Sequence, residues 1–398
     1  MKKTNLSLSI SILTLGLSSS FSAVGAATSA EAQSIADAIT NAKTDLSLRY
    51  RYEYVDADDG SREAKASTLK TRLTFKTQSY KNTSATLEFD NNNVVIEDTY
   101  NDGTGGEEAV VKDPTYTEIN QAYLDYSAPE NTLIRYGRQK VLLDNQRFIG
   151  GVGWRQNEQT YDALAIVNSS LPDTTLLFAN VYNVNTITGG NVDGDDHQLY
   201  NINNKSIEGL SLSAYFYDLK YISDTYGLRA DGKLDINEDM TVIYTAEFAE
   251  QTTDTAKDYD TSYINLEGGL SLANITAKLG YELLGSDGGS AGFSTPLGTN
   301  HKFNGWADKF LKTPEKGLED KYLSLSSKML GPKISLTYHQ FDSDEGSVDF
   351  GSEIDIAVTH KFTKNYSGTF KLADFNQGDS AGGKSDTSKI WLQLLAKF

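Results

Sequence analysis

Between Gly137 and Ala163 the chain reads GRQKVLLDNQRFIGGVGWRQNEQTYDA. Arg138, Lys140, Arg147 and Arg155 are interleaved there with the amides Asn145, Gln146, Gln156, Asn157 and Gln159. A guanidinium presents a planar fork that can bind both oxygens of a carboxylate. A primary amide donates and accepts, so it serves hydroxyls and carboxylates alike. The pattern suits recognition of an anionic or sugar-like solute rather than bond cleavage. Glu118, Asp125, Glu158 and Asp162 lie in or near the same region and carry the opposite charge. Two readings follow: a cationic constriction partly countered by acid, or arginine–carboxylate braces that stiffen a wall. Gly150, Gly151 and Gly153 let the segment between the flanking strands bend inward.

Catalytic constellations are sparse. The chain has no cysteine, which removes thiolate nucleophiles, disulfides and Cys-ligated metals. GGSAG at Gly288 to Gly292 matches G-x-S-x-G in form, but without the strand–turn–helix setting of a nucleophile elbow. His197, His301, His339 and His360 form no H-x-x-H or H-x-x-x-H pair, and GGVG at Gly150 to Gly153 lacks the Lys-Ser/Thr of a phosphate loop. No enzymatic activity and no cofactor are expected; a barrel-embedded hydrolase is the residual enzymatic alternative.

What must position the cationic residues follows from patterning. The 398 residues carry a formal charge of -18, which argues against a nucleic-acid partner. Met1, Lys2 and Lys3 precede the short apolar run LSLSISILTLGL and the small-residue site SAVGAA, the layout of a cleaved secretory signal over 1–26. Loss of Lys2 and Lys3 takes the charge from -18 to about -20. Residues 27–43 read as a short periplasmic arm or helix. From Thr44 the period becomes two: Leu46, Leu48, Tyr50, Tyr52 and Tyr54 share one face, and Ser47, Arg49, Arg51 and Glu53 the other.

Turn signals divide 44–398 into about eighteen such strands, with an eighth strand at 197–204. Short connections such as SAPEN and LGP alternate with long polar ones. The chain ends on an alternating strand, KIWLQLLAKF, closed by Phe398. The expected fold is all-β: a transmembrane antiparallel β-barrel with short periplasmic turns and long extracellular loops. Arg49, Arg51 and Arg72 then line the lumen, with Glu53, Glu282, Glu353 and Asp355 among the acids beside them. Charges on the lipid face would instead cost about 2–4 kcal/mol per Lys or Arg at midplane. The surplus acid falls in VDADDG, NVDGDDH and FDSDEG, read as extracellular loops. Asp193, Asp195 and Asp196, with Asp56 and Asp58, are the candidates for Ca²⁺ there, without EF-hand spacing. In NGWADKFLKTPEKG, Trp306 and Phe310 stand four apart, the spacing of a short loop helix.

The G-R-Q…D-N-Q-R-F…G-W-R-Q-N…Q-T-Y-D pattern, TEINQAYLDY (Thr117 to Tyr126) and NGWADKFLKTPEKGLEDKYLSL (Asn304 to Leu325) resemble the alginate-export family of Gram-negative outer-membrane porins. The resemblance implies an 18-stranded barrel, the outer membrane and passive transport, rather than alginate itself as the solute. On this reading the protein is a diffusion channel for small hydrophilic solutes. Its expected surroundings are outer-membrane lipid and lipopolysaccharide, and the barrel-assembly machinery reached through Phe398, with the chain a monomer or homo-trimer. A surface receptor or adhesin acting through its acidic loops is the alternative.

Overall fold

The computed structural model describes residues 31–254, 257–329, 331–379 and 382–398, without the side chains of 97, 98 and 193–195. The signal segment lies outside the described residues. The strands are β1 (Lys43–Ala57), β2 (Ala64–Lys76), β3 (Thr83–Thr99), β4 (Tyr116–Ala128), β5 (Thr132–Gln139), β6 (Thr160–Asn168), β7 (Thr174–Asn185), β8 (Asn191–Asn204) and β9 (Leu210–Leu219). They continue as β10 (Ser223–Asn237), β11 (Met240–Thr253), β12 (Asp260–Leu272), β13 (Ile275–Leu284), β14 (Leu318–Ser327), β15 (Lys333–Asp342), β16 (Asp349–Lys361), β17 (Tyr366–Gln377) and β18 (Thr387–Lys397). Each pairs antiparallel with its sequence neighbour, and β1 pairs with β18, giving a closed 18-stranded sheet. Closure matters because hydrocarbon offers no partner to a free N–H or C=O. The last residue completes it: Leu46 and Phe398 exchange backbone hydrogen bonds of 3.0 and 2.9 Å.

The two faces separate as the alternation requires. Leu73, Phe89, Leu124, Leu228 and Leu279 are exposed on the outer face. Arg51, Glu53, Lys70, Asp90, Glu247, Glu282, Glu353 and Asp355 are buried on the inner one. The main apolar cluster lies inside the barrel, where loop residues Phe148, Ile149 and Phe293 meet wall residues such as Tyr263 and Phe341.

Two local expectations are corrected. NVDGDDH is not a loop: β8 begins at Asn191, and only residues 186–190 join it to β7. Asn183 opposite Asp193 continues the strand pairing, so the candidate Ca²⁺ acids lie along an extended strand. Asp196 accepts from Asn180 at 3.2 Å, and the side chains of Asp193 and Asp195 are outside the described residues. Among the described residues no group of three acids or histidines could hold a metal. Second, no helix forms around Trp306 and Phe310; Asn304 and Asp308 take positive φ of 53° and 63°, which breaks helical progression. In the N-terminal arm a short helix spans Ile35–Thr40 (α1), capped by Ser34. It is tied to the turn after β2 by Ala32 N–H to the Ser79 carbonyl and Gln78 N–H to the Ala38 carbonyl, at 2.8 and 3.0 Å.

Gly137, in β5 just before the first inward loop, leaves no room for a side chain. Its φ is +124°, and a Cβ there would lie 2.3 Å from the Ala122 carbonyl oxygen of β4. Gly137→Ala is expected to cost about 1–3 kcal/mol, read as a lower urea midpoint for the liposome-folded barrel.

Candidate functional site

Two extracellular connections turn inward: residues 140–159 between β5 and β6, and residues 285–317 between β13 and β14. They bind each other as well as the wall. Gly150 N–H donates to the Leu297 carbonyl and Thr299 N–H to the Gln146 carbonyl, both at 2.9 Å. Gln159 Nε2 donates to the carbonyls of Gly150 and Leu297, each at 3.0 Å. A Cβ on Gly150 would lie 2.2 Å from Thr299 Oγ1. The glycine is needed for the close approach of the loops; its φ is not in the left-handed region. Phe148 seats the pair against the wall, packing edge-on to Tyr263 and Phe293 with centroids 5.1 and 5.7 Å away.

The loop cations meet acids. Arg147, almost fully buried, lies 2.9 Å from Glu282 of β13 and donates to Asn304 at 2.7 Å. Arg155 reaches Glu53 of β1 at 3.1 Å and Asp308 at 3.0 Å. Lys140 contacts Glu158 at 2.5 Å, and Glu158 also takes Arg72 at 2.9 Å. Asp90 shares Arg72 and Lys70 at 2.6 and 2.8 Å. Arg49 donates to Gln156 at 2.8 Å and to the Arg155 carbonyl. Arg51 and Asp113 form a buried pair at 3.4 Å. Asp125 pairs with Arg135 at 2.6 Å, below the loops, and Glu118 lies on the inward face opposite Asp90. These are braces, and they anchor the loops that narrow the lumen.

Arg138 and Asp162 lie elsewhere. They pair at 2.9 Å, directly opposite each other on β5 and β6. Arg138 shares the parity of Tyr136, which is 58% exposed on the outer face, whereas Arg135 and Gln139 are buried inward. The period of two therefore turns Arg138 outward. β5 ends one residue later, so the charge sits at the rim, where an outward cation costs about 0–1 kcal/mol rather than its midplane penalty. Asn183 and Asn185 donate to the same Asp162 carboxylate at 2.8 and 3.1 Å. The pair is not part of the lumen lining.

The loops divide the lumen. An outer vestibule of about 710 Å³ is lined by Lys112, Arg155, Lys309, Lys384 and Lys389 against Asp59 and Asp308, among the described residues. An inner chamber of about 440 Å³ takes Asn145, Lys302, Phe303, Asn304 and Trp306 on one side and wall residues Lys278, Glu282, Asp320 and Asp355 on the other. Gly298, Asn300, His301, Ala307 and Asp308 face the vestibule, so one segment separates the two spaces. Ala307 N–H donates to Glu353 at 2.7 Å and Trp306 N–H to Asp355 at 3.2 Å, fixing the segment to β16.

Arg155 and Lys389 share Asp308, but two other vestibule cations, Lys309 and Lys384, are less compensated than the loop arginines. Lys309 donates to the hydroxyls of Ser385 and Thr387 at 3.1 and 2.9 Å, and Lys384 to the Lys309 carbonyl at 2.9 Å. Neither has a carboxylate within 4 Å among the described residues. Lys112, Lys309, Lys384, Asp113 and Asp308 were not among the residues singled out from sequence. Lys112 and Asp113 sit in an ordinary polar connection, and the segment holding Asp308 and Lys309 carries no periodic signal. The alginate export family model matches residues 41–306.

The chain belongs to the alginate export family. Its fold is shared with solved outer-membrane channels. Pseudomonas aeruginosa OccK9 (OpdG) matches with TM-score 0.74 at 12% identity over 91% of this chain and 99% of that one. Acinetobacter baumannii OccAB4 matches with TM-score 0.71 at 14% identity over 90% and 98%. Pseudomonas aeruginosa OpdK, solved with vanillate, matches with TM-score 0.70 at 14% identity over 90% and 99%. Among curated proteins none matches by sequence. The protein is thus a multi-pass outer-membrane β-barrel, and its family and structural neighbours are porins or channels rather than enzymes.

Two loop groups set a pH response. Burial drives the His301 imidazole down to about 3, outweighing the neighbouring Asp308 carboxylate, with Lys371 adding to the drop. For Glu158 burial acts upward, but Arg72, Lys140 and Lys70 hold its carboxyl well below the usual range. His301 binds fewer protons folded than unfolded, so its contribution is complete above about pH 6.5 and is lost as pH falls toward the folded value. Glu158 contributes above the ordinary carboxylate range and loses its share only in stronger acid. The barrel is expected to lose thermal stability between about pH 7 and pH 4, with a shallower slope in His301→Gln. Glu158→Gln leaves Lys140 and Arg72 short of their shared anion; a loss of about 3–5 kcal/mol is expected, measured by urea unfolding at pH 7.

Proposed function

We propose that the protein is a passive diffusion channel for small hydrophilic anions, with carboxylates and sugar acids as the solute class. The observation that carries this reading is the outer vestibule, where Lys112, Arg155, Lys309, Lys384 and Lys389 face two carboxylates. A solute entering from outside meets this field first, and a concave site with low-dielectric walls concentrates the ion it attracts. Hydroxyls at Ser385 and Thr387 and the amide of Asn300 line the same space and suit a sugar's hydroxyls. Arg155 is the loop arginine that lines this space, beside the partition residues His301, Ala307 and Asp308. Selectivity then follows the narrowest radius and the charge around it, and transport runs down the solute gradient. The vanillate in the OpdK structure is a carboxylate, which supports the same class of solute.

In planar bilayers the purified protein is expected to carry a stable current with an anion-selective reversal potential in a salt gradient. Lys309→Glu combined with Lys384→Glu is expected to move that potential toward cations. A protein that folds and inserts but never conducts would refute the channel, and an unmoved reversal potential in the double variant would refute the vestibule as the selective element.

A further inference from the structure

The chain has three tryptophans, and all three surround one lysine. Lys371 Nζ lies 4.0 Å from the ring centroid of Trp154, 3.8 Å from Trp306 and 5.1 Å from Trp391. The rings come from different places: Trp154 from the first inward loop, Trp306 from the second, and Trp391 from β18, directly opposite Lys371 on β17. The lysine is buried and has no carboxylate within 4 Å among the described residues. Its polar contact is His301 Nε2 at 3.0 Å. His301 Nδ1 is 2.6 Å from Asp308 Oδ1, so a neutral ring that donates from Nδ1 to the carboxylate and accepts at Nε2 from the ammonium satisfies both neighbours. Trp154 stacks on His301 at 5.2 Å with planes 9° apart, and Arg51 lies over Trp154 at 4.1 Å.

We propose that Lys371 is the positioning residue of the lumen partition: its ammonium, rather than its bulk, holds Trp154 and Trp306 of two separate loops against the wall, so that the segment from Asn300 to Asp308 keeps the vestibule apart from the inner chamber. A dry cation attracts the negative face of each ring, and this attraction is strong where water is excluded. Arg155 and Arg147 of the first loop also reach the second loop and the wall, through Asp308 and Glu53 and through Asn304 and Glu282, but they do so by ion pairs and hydrogen bonds that start from the loop. Lys371 touches side chains of both loops at once. With the cation gone, the two indoles lose their common partner, and the seam between loops and wall opens beside the constriction.

The pore role of Lys371 rests on the channel reading; its hold on the rings does not. The test therefore uses two measurements on the full-length barrel, with heat-modifiable mobility in gels confirming that each variant is folded. Because the three rings are the protein's entire tryptophan content, emission and acrylamide quenching report on this cluster alone. Wild type is expected to show blue-shifted, poorly quenched emission. Lys371→Met keeps length and apolar bulk without charge; it is expected to raise quenching and single-channel conductance, with the partitioned-to-open ratio falling by roughly tenfold or more, the scale of a desolvated cation–π contact. Lys371→Arg is expected to stay near wild type. Trp306→Ala, which leaves the wall intact, is expected to raise conductance to a similar extent and to add little to Lys371→Met. Solvent-exposed emission in wild type, a Lys371→Met variant equal to wild type in quenching, or equal shifts in Lys371→Arg and Lys371→Met would each overturn the proposal. Absence of any wild-type current alongside the expected quenching shifts would overturn the channel reading and leave the cation's hold on the rings supported.

Discussion

Hydrocarbon cannot hydrogen-bond a peptide group, and the rest of this molecule follows from that constraint. A sheet that spans the membrane must close on itself, and here β1 meets β18 along eleven residue pairs from Ser47–Lys397 to Ala57–Thr387. Closure converts an alternating sequence into two environments. The apolar set turns to lipid, and every second residue is pressed into a shared interior. Charged groups from strands far apart in sequence, such as Glu53, Glu282 and Lys371, thereby become neighbours around one axis.

An interior crowded with charge must balance itself locally, because each unpaired ion would sit in a poorly solvated space. The two inward loops supply much of that balance. Arg155 answers Glu53, Arg147 answers Glu282, and Glu158 answers Lys140 and Arg72. Asp308 gathers Arg155, His301 and Lys389 at distances between 2.6 and 3.0 Å. The loops are therefore fixed by the same charges that would otherwise make the wall unstable. Narrowing of the lumen and neutralisation of the wall are one structural event.

Two of the charges that remain less compensated lie on the extracellular side of that event. Lys309 and Lys384 bond to hydroxyls and a carbonyl, leaving their positive field directed into the vestibule. Below the partition the wall is mixed in sign, with Lys278 beside Glu267 and His339 beside Asp320. A solute would pass from a positive antechamber to a balanced one, across a seam where Lys371 holds an indole from each loop.

The sequence alone determined the barrel. A period of two, a short turn after every second strand and a terminal aromatic are local properties, and a residue's parity within a strand decides whether it faces lipid or lumen. It also marked Glu53, Glu282, Glu353 and Asp355 as inward, because they alternate with large apolar residues. The tertiary structure decided what those groups meet. Arg147 and Glu282 are 135 positions apart, and no strand pattern relates them. The bond between Gly150 and Leu297 belongs to loops without periodicity, so neither the partition nor the lysines above it was legible. Arg138 shows the division within a single residue. Its chemistry was plain from its type and its outward facing from its parity with Tyr136, but its partner was set by the register of β5 on β6, which places Asp162 opposite it. Side-chain type and parity are properties of the local sequence, whereas counter-charge is a property of the closed sheet.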